Sequence, residues 1–152
     1  MIIQKYTYQF FRDISTLGGI FFYGFILIFL LIINQYKLFK KLFIALIIVY
    51  FFAIILRYFF FKERPVKEKY TNLIEKIDSS SFPSLHAGRA SLYSLFAYYN
   101  LNFNLFIFIL IISLIILYSR IYLKKHYVKD ILAGVLIGIL AFYISNSLII
   151  FW

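Results

Sequence analysis

The chain is expected to fold as an all-α, polytopic membrane helical bundle, with about five transmembrane helices and an N-terminal interfacial helix. Three observations set that expectation. Hydrophobic residues fill 64% of the positions and mean hydropathy is +0.90, well above what a soluble globule carries. Long uncharged runs recur, from Ile14 to Tyr36 and again from Ile131 to Trp152. The few ionisable residues gather between such runs instead of being spread through them. A length of 152 residues suits one domain, so residues 1–152 read as a single integral-membrane unit.

At the N-terminus Ile3, Tyr6, Phe10, Ile14 and Leu17 recur at helical spacing, with Gln9, Arg12, Asp13 and Thr16 on the other side. That is the pattern of a helix lying in the membrane interface. Met1 to Arg12 lacks the basic start, short apolar core and cleavage site of a signal peptide, so this segment is expected to be retained. Gly18-Gly19 marks a turn into a first span ending near Asn34, followed by a short cationic loop of Lys37, Lys40 and Lys41. Leu42 to Phe61 forms a second span with Arg57 about one turn from its end, a costly place for a charge without a partner. Lys62 to Phe82 is a long polar connection, a loop or cap over the membrane, finishing in Ser79-Ser80-Ser81. Pro83-Ser84 suits a helix start, and the third span runs from there to Asn100 with His86 and Arg89 in its first turns. A turn at Asn100 to Asn104 sends Phe103 to Tyr118 back as a fourth span. Ile131 to Trp152 is the fifth, with Gly134 and Gly138 at a spacing that lets helices approach closely.

A net charge of +10 on so few charged residues points to anionic lipids or a phosphate-bearing substrate. The absence of cysteine excludes disulfides, thiolate nucleophiles and Cys-ligated zinc. The many Tyr and Phe read as membrane-interface filling, not as a base-stacking platform, so no nucleic-acid partner is expected.

The chemistry concentrates between Ser119 and Asp130. If the segment from His126 is helical, His126 and Asp130 stand four residues apart on one face, and the carboxylate can accept a ring N–H. An Asp-oriented histidine can act as nucleophile or general base. Arg120 offers a planar fork suited to phosphate, and Lys124, Lys125 and Lys129 add a positive field. Taken alone, the stretch reads equally as a basic surface loop with a chance histidine. Five spans, however, bring Arg57, Arg64, His86, Arg120, His126 and Asp130 to one interface, opposite Lys37 to Lys41.

Ser119-Arg120, five residues, His126, three residues and Asp130 resembles the third part of the signature of the type 2 phosphatidic acid phosphatase family. That family includes lipid diphosphatases and vanadium haloperoxidases. Pro83-Ser84-Leu85-His86 resembles the second part and Arg57, six residues, Arg64-Pro65 the first. Arg57 stands where the family usually has Lys, and Leu85 where it often has Gly. The resemblance implies that His126 attacks phosphorus and becomes phosphohistidine, that Asp130 holds and polarises it, and that His86 is the acid. It makes Arg57, Arg64, Ser84 and Arg120 the ligands of the phosphoryl oxygens. It implies no cofactor and no metal, and no carboxylate cluster for Mg²⁺ is evident. The implied substrates are lipid phosphates, such as phosphatidate or phosphatidylglycerophosphate, or polyprenyl diphosphates. The family usually has six membrane helices, the first of which is expected here to be shortened to the interfacial one.

Arg89 lies outside the signature and is expected to make a phosphate-side or loop contact; Tyr127 is expected to anchor the interface. Two other functions fit the same residues: an anionic-lipid binding or transport protein without catalysis, or a lipid phosphotransferase. The cations crowded on the site's face argue for a cytoplasmic site by the positive-inside rule. The resemblance argues for an extracytoplasmic one, in the cell membrane.

Overall fold

The computed structural model describes residues 2–150, and among the described residues there are seven helices and no strand. They are α1 (Ile2–Thr16), α2 (Ile20–Ile32), α3 (Tyr36–Phe59), α4 (Leu73–Ser79), α5 (Leu85–Asn100), α6 (Phe103–Tyr122) and α7 (Val128–Ile150). The all-α bundle expected from the sequence is therefore present; Phe151 and Trp152, expected to finish the last span, lie outside the described residues.

Three helices, α3, α6 and α7, are long and apolar enough to cross a membrane, and α1 with α2, bent by 44° at their joint, can make a fourth crossing. At 13 residues α2 rises about 20 Å, and at 16 residues α5 rises about 24 Å, both short of a hydrocarbon core about 30 Å thick. Among the expected spans, the first and third are thus the short ones. α5 tolerates its length because it is interior: Ala87, Gly88, Ala90 and Leu92 are buried where it packs against α3, α6 and α7. Many large apolar side chains elsewhere, such as Phe21, Ile47, Phe108 and Leu136, point outward, as a lipid-facing surface requires.

The cationic loop expected at Lys37 to Lys41 is instead the first two turns of α3. Lysine is a good helix former, and its long stem carries the charge toward water without breaking the helix. The turn is shorter, Ile33 to Gln35, with Asn34 at φ 59, a left-handed conformation that asparagine tolerates. In the polar connection, α4 is capped at its start by Asn72, which accepts from Glu75 N–H at 2.9 Å, while Glu75 reaches back to Thr71 N–H at 2.7 Å.

The core lies between α2, α3, α5 and α7, around Tyr23, Val49, Leu92, Phe96 and Phe142. α5 and α7 cross closely at glycines. A methyl group on Gly134 would run into the Ser84 carbonyl oxygen, and one on Gly138 into the Ser91 hydroxyl. The packing role expected for this pair is what the contact shows.

Candidate active site

Hydrogen bonds tie the chain segments that carry the three motifs to one another at one end of the bundle. Ser84 N–H, at the start of α5, donates to the Asp130 carbonyl at the start of α7, at 3.0 Å. Arg57, in the last turn of α3, donates to the Pro83 carbonyl at 3.2 Å and to those of Ile77 and Asp78 at 3.4 and 3.3 Å. The serine run closes the cap: Ser81 N–H donates to the Lys62 carbonyl at 2.8 Å, and Lys62 N–H to the Ser80 hydroxyl at 3.2 Å. Ser79, Ser80 and Ser81 are all buried, so these bonds are shielded from competing water.

A cavity of about 340 Å³ opens beneath this cap, lined by Arg57, Arg64, His86, Arg89, Arg120 and His126. Arg57, Arg64 and Arg120 each keep a buried Nε–H with no protein acceptor among the described residues. Buried guanidinium donors are costly to leave unpaired. Asp78 also lines the cavity, its carboxylate 3.6 Å from Arg57 Nη1. A larger apolar groove, about 430 Å³, lies between α2, α5 and α6 and holds no ionisable group other than Tyr93.

His126 departs from the expected geometry. α7 starts at Val128, so His126 precedes the helix and the helical i, i+4 geometry expected for it and Asp130 does not apply. The hydrogen bond expected between them is absent. His126 Nδ1 lies 2.7 Å from the Ser81 carbonyl oxygen, which can only accept, so Nδ1 carries the proton and Nε2 keeps its lone pair. Here a backbone carbonyl, and not the Asp130 carboxylate, holds His126 Nδ1. The buried Asp130 carboxylate instead accepts Tyr127 N–H at 2.8 Å and pairs with Lys62, securing the turn that carries His126. The Lys62 ammonium also sits 4.4 Å from the centre of the Tyr127 ring. Burial, and then the Arg120 charge, push His126 down to about 3, with the Ser81 hydrogen bond working against them. The ring is therefore neutral at ordinary pH.

A sequence model of the PAP2 superfamily matches residues 39–150, most of the chain and all three motifs. The chain belongs to the PAP2 superfamily. Its structure is similar to the crystal structure of Aquifex aeolicus LpxE, with a TM-score of 0.77 and 27% identity over 93% of this chain and 86% of that one. No curated protein matches the chain. Membership and likeness together support a membrane lipid phosphatase, and the long apolar helices make it an integral membrane protein.

Of the residues the resemblance singled out, Arg57, Arg64, Arg120, His86 and His126 line the cavity, whereas Ser84 and Asp130 do not. Ser84 is buried and its hydroxyl accepts from Ala87 N–H at 3.4 Å, as the N-cap of α5, so the expected phosphate contact is not prepared in this arrangement. Arg64 donates to the Asp78 carbonyl at 2.9 Å and pairs with Glu68, which also accepts from Lys125 at 2.8 Å. Arg89, outside the signature, belongs to the site. It is 3% exposed and donates to the Gly18 carbonyl at 2.7 Å and the Tyr50 hydroxyl at 2.8 Å, with its remaining fork nitrogen 3.4 Å from His86 Nδ1. Sequence reasoning missed Ser15, Gly18, Tyr50 and the Ser81 carbonyl. The signal for the first two was the Gly18-Gly19 pair, read as a turn when it also marks a close approach.

Proposed function

We propose that this protein hydrolyses lipid phosphates or polyprenyl diphosphates, without a metal, through a phosphohistidine on His126. The observation that carries the reading is the set of buried, unpaired Nε donors on Arg57, Arg64 and Arg120 around the cavity that His126 also lines. Phosphoryl transfer needs in-line positioning and positive charge around the equatorial oxygens, and three guanidinium groups supply that charge. His126 Nε2 forms the bond to phosphorus as the bond to the lipid oxygen breaks. That oxygen takes its proton from His86. Water then attacks phosphorus, the N–P bond breaks, and the water's proton returns to His86. Arg89 beside His86 Nδ1 stabilises the ring as its proton leaves.

The test is phosphate release by purified protein from phosphatidate, phosphatidylglycerophosphate and a polyprenyl diphosphate. Activity is expected to survive chelator, to be inhibited by vanadate, whose trigonal-bipyramidal adduct resembles the transition state, and to vanish in His126→Ala. Loss with chelator and rescue by Mg²⁺ would overturn the mechanism. His86→Ala should separate the substrates, because a monoester expels an alkoxide that needs a proton whereas a diphosphate expels a stable anion. A loss of about 10²- to 10⁴-fold is expected on the monoester and a clearly smaller one on the diphosphate. Equal losses remove the leaving-group role.

A further inference from the structure

The superfamily match begins at residue 39 and leaves out α1 and α2, yet their joint forms one wall of the cavity through Gly19, Ile20 and Phe21. The joint also grips the catalytic groups. Ser15, 4% exposed in the last turn of α1, accepts from Arg120 Nη1 at 2.6 Å. The Gly18 carbonyl accepts from Arg89 Nε at 2.7 Å, and Arg89 in turn lies against His86. Gly18 has no room for a side chain: a Cβ there would stand 3.0 Å from His86 Cδ2 and 2.7 Å from Ile116 Cγ2. Phe11 packs on Tyr118 and Tyr122, the residues flanking Arg120 at a distance of two, with ring centres 5.3 and 4.5 Å away.

We propose that Ser15 is a positioning residue for Arg120, and that the α1–α2 joint is a working wall of the phosphate site. An arginine has a long stem with many rotamers, and a guanidinium held in the right orientation loses less freedom when the phosphate arrives. Of the Arg120 nitrogens, Nη1 is bound to Ser15 and Nε is left buried without a protein acceptor, so Ser15 fixes one side of the fork while the other stays available to the anion. The short side chain of Ser15 can do this because the aromatic contacts of Phe11 hold α1 against α6. The inference rests on the reading of the cavity as a phosphate site.

The experiment uses full-length protein in one detergent and two readouts, lipid-phosphate turnover and binding of orthovanadate. Ser15→Ala is expected to lower kcat/KM about tenfold or more, the cost of one hydrogen bond to a charged group, and to weaken vanadate binding in parallel. Ser15→Thr, which keeps the hydroxyl, should restore most of both. In an Arg120→Ala background Ser15→Ala should cost nothing further, whereas a general loosening of α1 would cost the same in either background. Wild-type values in Ser15→Ala, or equal losses in both backgrounds, overturn the proposal. If the wild type binds vanadate but releases no phosphate from any lipid, the hydrolase reading fails while the binding arm still decides the role of Ser15. If it binds no vanadate, both fail.

Discussion

With Nδ1–H donated to the Ser81 carbonyl, His126 has its tautomer fixed by backbone, and the Asp130 carboxylate serves the turn instead. In a triad, converting the aspartate to asparagine reverses the tautomer and costs about 10⁴-fold in turnover. Asp130→Asn here keeps an oxygen for Tyr127 N–H and loses the charge opposite Lys62, so thermal stability should fall while kcat drops far less than that figure. A loss near 10⁴-fold would return the orienting role to Asp130. The depressed His126 also makes a prediction about pH. The unfolded chain binds this proton near 6.5 and the folded one only near 3, so between those values the unfolded state holds more protons and stability rises with pH. The contribution is complete above about 6.5 and is lost as pH falls toward 3. Melting in detergent at pH 7 and pH 5 should show a drop that His126→Asn reduces; an unchanged drop would mean that other groups carry it.

Most helices could be read from the sequence because a 3.6-residue apolar period and long uncharged runs need no tertiary information, which is why α3, α6 and α7 lie close to where they were expected. The ends could not. α3 begins before its lysines because a helix costs nothing by carrying them, and α7 begins after His126 because Asp130 folds back onto Tyr127 N–H. The motifs told which residues meet but not which atoms, since spacing along a chain does not fix what a buried carboxylate or a capping serine will bond. Where α5 crosses α7, the element-scale test is Gly134→Ala. The added methyl group meets the carbonyl of Ser84, the residue of the second motif whose N–H bonds to the Asp130 carbonyl of the third. Overpacking should destabilise by about 1–3 kcal/mol, seen as a lower Tm. Activity at a temperature well below that Tm should fall as well, because the two helices carrying His86 and the His126 turn are pushed apart. Full activity with a lowered Tm would limit the glycine to packing.

The connectivity fixes which parts of the molecule share a side. α3 delivers Arg57, α6 delivers Arg120, and both α5 and α7 start at the cap, so the α1–α2 joint, the polar connection and the His126 turn all lie at one end. Lys37, Lys40 and Lys41 lie at the other, in the first turns of α3. The sign of the charge on each face does not choose between the leaflets. Several of the cations at the site's end are committed to structure or to the proposed chemistry: Lys62 to Asp130, Arg64 and Lys125 to Glu68, Arg57 to the cap carbonyls, Arg120 to Ser15. Cations held by folded partners are poor witnesses to the positive-inside rule, which acts on loops during insertion. We propose an extracytoplasmic site, on the resemblance to family members that act on the outer leaflet. The chain contains no cysteine, so single cysteines at Lys40 and Lys69, both exposed, can be labelled in intact cells without background. An impermeant maleimide should modify Lys69→Cys and spare Lys40→Cys until the cells are opened. The reverse pattern would place the cavity in the cytoplasm and restrict its substrates to lipid phosphates of the inner leaflet.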